Sequence, residues 1–285
     1  MRANKTHPLQ IVAIYIVIAL SGFITWKYIP MDNEILSFLI ADIVMTIVCF
    51  VFSLLKKNSS VYDAYWSVIP FYFVIMWIFL HGDTFELHHY LTFTIISLWS
   101  WRLTFNWLRS WSGFSHEDWR YINLSKKTGA FYPIVNFLGI HIFPTAMVFA
   151  GMLPIFFVIT NDLHHSGLFY LGIAISLLGT GLEFVADNQL YNFKSKQKRT
   201  QELLDTGLWS KSRNPNYLGE ILFWVGLFVI GMAFQAPMYT VAGALIMISL
   251  FVFISIPMKE ERMIERRPVY LEYKKKVPML IPRFF

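Results

Sequence analysis

Long apolar runs, broken by short polar stretches, dominate this chain. The first is Leu9–Tyr28. Others follow at Ile35–Leu55, Ala64–Leu80, Tyr90–Leu108, Phe131–Thr160, Leu168–Ala186, Tyr217–Phe234 and Pro237–Pro257. A helix crosses the roughly 30 Å hydrocarbon core of a bilayer with about 20 residues. The pattern therefore predicts an all-α fold: a polytopic integral membrane bundle of about eight transmembrane helices, with cytoplasmic loops capping a cavity. The first run follows Arg2 and Lys5, as a signal peptide would. It lacks a small-residue cleavage site and exceeds a typical signal-peptide core, so it reads as a retained helix. Phe131–Thr160 carries Pro133, Pro144 and Pro154, which predicts a kinked segment that begins along the interface. No internal repeat or long linker interrupts the chain. Its organisation reads as an N-terminal transmembrane helix pair over 1–60, followed by one membrane domain over 61–285.

Composition narrows the class. Hydrophobic residues make up 56% of the chain and charged residues 15%, against about 25% charged in soluble proteins. The mean hydropathy is +0.50. A soluble enzyme, a disordered tail and a nucleic-acid module are excluded, despite a net charge of +6. The single cysteine, Cys49, excludes a disulfide framework. The placement of charge carries more than its sum. Of 24 lysines and arginines, all but Lys27 and Arg102 fall at the termini or in the loops of one alternating side. The positive-inside rule puts that side, and both termini, in the cytoplasm.

Ionisable groups inside a span are costly and mark candidate chemistry. Asp42 sits alone in an apolar run, Asp63 opens the third run beside Tyr62 and Tyr65, and Arg102 lies within the fourth. Asp63 and Arg102 read equally well as a buried ion pair or as reacting groups. Glu183 and Asp187, one turn apart, and Glu220 converge on a cytoplasmic boundary near Lys194 and Arg213. His141 reads as a packed core histidine, while His88, His89, His164 and His165 read as outer-face residues. No spacing matches a metal site, and neither a dinucleotide glycine fingerprint nor a P-loop is present.

The most informative segment is residues 205–220, Asp-Thr-Gly-Leu-Trp-Ser-Lys-Ser-Arg-Asn-Pro-Asn-Tyr-Leu-Gly-Glu. Gly207 and Pro215 break structure just before an apolar helix. Arg213, Asn214, Asn216 and Tyr217 gather there, where free backbone N–H groups suit an anionic ligand. Ordinary helix capping by Asn214 or Asn216 is the competing reading.

This segment resembles the C-terminal signature of the steroid 5-alpha-reductase / isoprenylcysteine carboxyl methyltransferase superfamily, and most closely its uncharacterised bacterial branch, a domain of unknown function. The resemblance continues in residues 183–189 (Glu-Phe-Val-Ala-Asp-Asn-Gln), in 116–121 (His-Glu-Asp-Trp-Arg-Tyr), in 260–273 and in the closing Leu-Ile-Pro of 280–282. It covers roughly residue 63 to the C-terminus. Asn216 and Glu220 are as in the reductases, whereas Glu260 and Glu261 resemble the methyltransferases.

The resemblance implies a membrane oxidoreductase in which NADPH reduces a carbon–carbon double bond of a lipophilic, steroid- or isoprenoid-like substrate. It implies cofactor-binding roles for Glu183, Asp187, Gln189, Arg213, Asn214, Asn216, Tyr217, Glu220, Arg266 and Tyr273. Arg266 stands where the reductases have a tyrosine. The carboxyl–tyrosine pair that polarises the substrate in the reductases has no aligned counterpart. Asp63 with Tyr62 or Tyr65 supplies the nearest chemistry, and Arg102 is the further candidate in the catalytic set. Two alternatives stay open: a methyltransferase using S-adenosylmethionine, and a non-catalytic membrane lipid-binding protein. The expected partners are a lipophilic small molecule and membrane lipid, with no nucleic acid. The expected location is the inner membrane of a bacterium.

Overall fold

A computed structural model describes residues 6–29, 31–81, 86–196 and 202–282. Arg2, Lys5, Lys198, Arg199 and Arg283, which entered the charge pattern, lie outside the described residues. The described residues form helices and turns with no strand. The elements are α1 (Thr6–Tyr28), α2 (Glu34–Lys56), α3 (Tyr65–His81), α4 (Leu87–Ser110), α5 (Trp119–Thr128), α6 (Tyr132–Val135), α7 (Phe143–Thr160), α8 (Ser166–Lys196), α9 (Pro215–Met232), α10 (Val241–Ser249), α11 (Ile256–Arg266) and α12 (Tyr270–Lys276).

Seven helical stretches among the described residues are long and apolar enough to cross a membrane. The sequence pattern gives about eight, and the difference is α4. Its 24 residues would span about 36 Å. However, Arg102, Asn106 and Arg109 dilute its apolar character, so it is not among the seven.

Local signals set the helix ends. Asn33 caps α2 by accepting from Leu36 N at 3.1 Å, and Glu34 complements the helix dipole. Lys57 ends α2 in the left-handed conformation, at φ 52°. The kink predicted in Phe131–Thr160 is a π-helical stretch over Asn136–Ile142, and a second covers Leu250–Ser255. A proline follows each, Pro144 and Pro257. Proline has no N–H, so the carbonyl four residues earlier (Ile140 or Phe253) loses its α-helical partner, and a wider turn accommodates the gap.

The chain divides into two compact units. Residues 1–76 with 99–150 form the first, and residues 77–98 with 151–285 the second. The sequence-based division at residue 60 falls inside the first unit.

In the first unit a 3-10 turn over Ser59–Ala64 links α2 to α3. Asn58 Nδ2 donates to Phe114 O (2.8 Å) and His116 O (3.0 Å). Ser59 N donates to Glu117 Oε1 at 2.7 Å, and Asp118 N to Ser60 Oγ at 2.9 Å. The motif of residues 116–121 thus docks the loop before α5 onto this turn.

In the second unit α8 and α9 meet along glycines. A Cβ on Gly179 would lie 2.5 Å from Gly219 O, and one on Gly226 would lie 2.7 Å from Ser176 N. With no side chain at Gly172, Gly179, Gly219 and Gly226, spaced seven apart on each helix, the two backbones approach closely, as helices packing in lipid do.

Candidate functional site

The α8–α9 contact of the second unit places Glu183 and Asp187 opposite Asn216 and Glu220. Asn216 Nδ2 donates to Asp187 Oδ1 at 3.4 Å. One turn along, Glu183 packs over Gly219, where a Cβ would meet its Cγ at 2.4 Å. Glu183, Asp187 and Glu220 are buried. The other carboxamide atom of Asn216, Oδ1, is buried with no hydrogen-bond partner. It is an acceptor that a bound N–H or O–H donor would satisfy.

Pro215 starts α9 at the position where its missing N–H costs nothing. Asn214 stands at the N-cap, but its side chain does not cap the helix. It donates instead to Met279 O at 3.0 Å and accepts from Lys259 Nζ at 2.8 Å. The ammonium of Lys259 also lies over the rings of Trp209 (4.8 Å) and Tyr217 (5.2 Å).

Arg213 is turned away from the α8–α9 carboxylates. Its Nε donates to Glu260 Oε1 at 2.7 Å, and one terminal nitrogen donates to Lys274 O (2.7 Å) and Val277 O (2.9 Å). Glu260 receives Lys274 Nζ on its other oxygen at 2.9 Å. Arg213 therefore ties α11 and the tail after α12 to the start of α9. Tyr273 donates to Trp209 O. Burial is the main cause raising its phenol above the ordinary value, with Arg213 acting against it. Gln189 accepts from Leu208 N at 3.0 Å and packs on Gly207, whose φ of 62° suits glycine. Arg266 ends α11, exposed.

Of the cofactor-facing residues expected from sequence, the structure thus brings Glu183, Asp187, Asn216 and Glu220 to one seam, with Tyr217 beside it. It gives Gln189, Arg213, Asn214 and Tyr273 framework bonds that hold the turn before α9 and the tail.

The first unit revises the expected reacting groups. Asp63 accepts from Tyr121 Oη at 2.5 Å and lies 4.0 Å from Arg120, so its partners come from α5. The anticipated pairing of Asp63 with Arg102 does not form. Arg102 is buried in α4, 5% exposed. Tyr65 does not reach Asp63 either. It donates to Asp42 Oδ1 at 2.7 Å and to Asp42 O at 3.1 Å. Asp42, 1% exposed, has no cation beside it among the described residues. Sequence reasoning marked Asp42 only as a lone acid. Its position, within one span and facing the start of the next, was the available signal.

His141 is fully buried, bonded to Ser53 Oγ (3.0 Å) and Asn136 O (3.2 Å), as a core histidine. His88 and His89 are buried, their rings 4.0 Å apart, with His88 against Phe169 and Phe234. Burial lowers the basicity of both. Among the described residues no three His, Cys, Asp or Glu side chains converge as metal ligands.

No solved structure matches the chain. It is similar to an uncharacterised protein of the fission yeast Schizosaccharomyces pombe, 24% identical over 276 residues, covering 87% of this chain and 78% of the relative. This relative is eukaryotic, whereas the expected kinship is with a bacterial branch. The profile of a family described as "Protein of unknown function (DUF1295)" matches residues 49–277. The chain is a member of this DUF1295 family, which is linked to steroid 5-alpha-reductase-like membrane proteins.

Proposed function

We propose that the protein is a multi-pass membrane oxidoreductase that uses NADPH to reduce a carbon–carbon double bond conjugated to a carbonyl in a lipophilic, steroid- or isoprenoid-like substrate. The observation that carries this reading is the Asp187–Asn216 contact, with Glu183 and Glu220 one turn away and the Asn216 Oδ1 acceptor open to a donor. Buried carboxylates and a carboxamide oxygen are acceptors, and they suit the ribose hydroxyls and the carboxamide N–H of a nicotinamide nucleotide. Lys259, Lys194 and the basic residues of α11 supply the charge its phosphates require. Bound there, NADPH would supply a hydride.

The reduction also needs a proton from an acid. Asp42 with Tyr65 fits that role better than Asp63, whose carboxylate is already engaged by Tyr121 and Arg120. The methyltransferase reading is weakened because both oxygens of Glu260 are taken by Arg213 and Lys274.

We place both termini in the cytoplasm on the charge pattern, which requires α4 to cross as an eighth span. A reporter fused after Asp162 should then read outside. The fusion points at Asp83 and Lys198 lie outside the described residues.

Nucleotide binding to the purified protein tests the function. NADPH should bind, and Asn216→Ala should weaken it by about 0.5–1.5 kcal/mol. Tight S-adenosylmethionine binding without NADPH binding would replace the reading with the methyltransferase one. Binding of neither would leave a lipid-binding protein. Enone lipids, from steroids to isoprenoids, form the substrate panel.

A further inference from the structure

Five oxygens form a continuous buried run in the first unit. Tyr62 Oη meets Thr145 Oγ1 at 2.8 Å, and Thr145 Oγ1 meets Thr46 Oγ1 at 2.9 Å. Thr46 Oγ1 donates to Tyr65 Oη at 3.1 Å, and Tyr65 Oη donates to Asp42 Oδ1 at 2.7 Å, so delivery from Asp42 requires these hydroxyls to turn. The residues come from α2, the 3-10 turn, α3 and α7, and none is more than 4% exposed.

Satisfying buried hydroxyls does not require this arrangement. At several other positions a helical Ser or Thr bonds the carbonyl four residues back, as Thr25 does to Ser21 O, Ser53 to Cys49 O, Thr160 to Phe156 O and Thr180 to Ser176 O, while Ser67 and Thr104 pair hydroxyl to hydroxyl at 2.9 Å without extending into a run. Thr46 and Thr145 make no such bond and meet each other instead. Each is then bonded on both sides by hydroxyls that can reverse donor and acceptor roles.

The two phenols differ. Tyr65 Oη is bonded to both Asp42 and Thr46. Tyr62 Oη has Thr145 alone, so it keeps a donor when Thr145 donates to it. Their rings stack at 5.0 Å and 16°.

We propose that Tyr62, Thr145, Thr46 and Tyr65 form a hydroxyl relay that draws a proton from Asp42 and delivers it at Tyr62. This makes Tyr62 the donor to the substrate, and Thr46 and Thr145 positioning residues of the reaction. The proposal rests on the reductase reading for what receives the proton, but not for the relay itself. In the step, the Tyr62 O–H bond breaks as its proton forms a new bond to a basic carbon or oxygen of the acceptor. Thr145 re-protonates Tyr62, Thr46 re-protonates Thr145, Tyr65 re-protonates Thr46, and the Asp42 carboxyl re-protonates Tyr65. Asp42 is left as a carboxylate and recovers its proton along the same run, Tyr62 to Thr145 to Thr46 to Tyr65, between turnovers. Intramembrane chains of Asp, Glu and His serve as proton relays elsewhere.

The test follows the carboxyl proton directly. In the infrared spectrum of the purified full chain, the band lost in Asp42→Asn reports protonated Asp42, and it shifts on transfer to D2O. In Thr46→Val and Thr145→Val the fast phase of that shift should be lost. Thr145→Ser should restore it, and Ser53→Ala, off the run, should keep it. With a substrate in hand, Thr145→Val and Tyr62→Phe should lose roughly 10²-fold or more in turnover with unchanged NADPH binding. Exchange in Thr145→Val as fast as in the wild type, or no band lost in Asp42→Asn, would overturn the relay. Failure of the wild type to bind NADPH, with exchange still interrupted by Thr145→Val, would sink the reductase reading and leave the relay standing.

Discussion

Two buried carboxylates, Glu260 in the second unit and Asp42 in the first, are satisfied in opposite ways. In the second, charge is matched by charge: Arg213 holds Glu260 and two tail carbonyls, and Lys274 completes the carboxylate. In the first, Asp42 has a phenol and a file of hydroxyls for company, and no cation among the described residues. A locked ion pair spends its donors on the fold and has little left for a ligand. A neutral hydroxyl run can reverse its bonds at low cost. The same residue type shows the contrast, since Thr180 in the second unit bonds its own helix while Thr46 and Thr145 reach across to each other. The conspicuous arginine of the sequence motif is therefore framework, and the inconspicuous acid of an apolar run is placed for chemistry.

Breaking the charge-matched side should have the largest effect. Arg213→Ala leaves Glu260 with one partner and strands buried carbonyls, so it should cost about 3–5 kcal/mol. Arg213→Lys should recover little of this, because one ammonium cannot serve the carboxylate and two carbonyls at once. Thermal unfolding in detergent would read both, and an unshifted midpoint would mean that the tail is held by other contacts. Next comes the glycine seam that aligns Asp187 with Asn216. Gly219→Ala should cost about 1–3 kcal/mol, since its Cβ would strike Gly179 O at 2.5 Å. Gly181→Ala, with nothing within 4 Å of the added carbon, should leave the midpoint where it is.

Asp63→Asn sharpens the comparison from the first unit. It should weaken the ties to Tyr121 and Arg120, lowering stability by about 1 kcal/mol while NADPH binding stays as in the wild type. A turnover defect at unchanged stability would return Asp63 to the role of acid.

The smallest effect concerns His88 and His89. Burial, first, lowers the basicity of each. The neighbouring His89 lowers His88 further, while Glu86 and Asp162 oppose the shift at His88 and Glu86 opposes it at His89. The unfolded chain therefore takes up these protons at higher pH than the folded one. The stabilising contribution is complete above pH of about 6.5 and declines as pH falls below it. The unfolding midpoint should drop between neutral and mildly acid pH, and His88→Gln with His89→Gln should flatten that drop.

Much of the fold was legible in the sequence because its causes are local. Apolar runs of bilayer length marked where the long helices lie, although the helix expected over Leu168–Ala186 runs on to Lys196 and that over Pro237–Pro257 to Arg266; Pro133 and Pro144 marked the irregular stretch, and Pro215 marked the start of α9. The seam of Glu183, Asp187, Asn216 and Glu220 was legible as two pairs, each spaced one helical turn. That the pairs face each other depends on glycines whose meaning appears only when two backbones touch. The roles of Arg213 and Asn214 were not legible, because their partners, Glu260, Lys274, Val277 and Met279, are supplied by a tail that must first fold back.

What the sequence determined by itself is the membrane class, the helical elements and the motifs of the family, all set by hydrophobic length, turn chemistry and residue order. What only the tertiary structure decided is which buried polar groups meet. Thr46 and Thr145 are 99 positions apart, and helical periodicity assigns each a face but no partner. The contact exists because packing of the first unit brings α2, α3 and α7 together. In a hydrocarbon environment their hydroxyls must find one another or go unsatisfied.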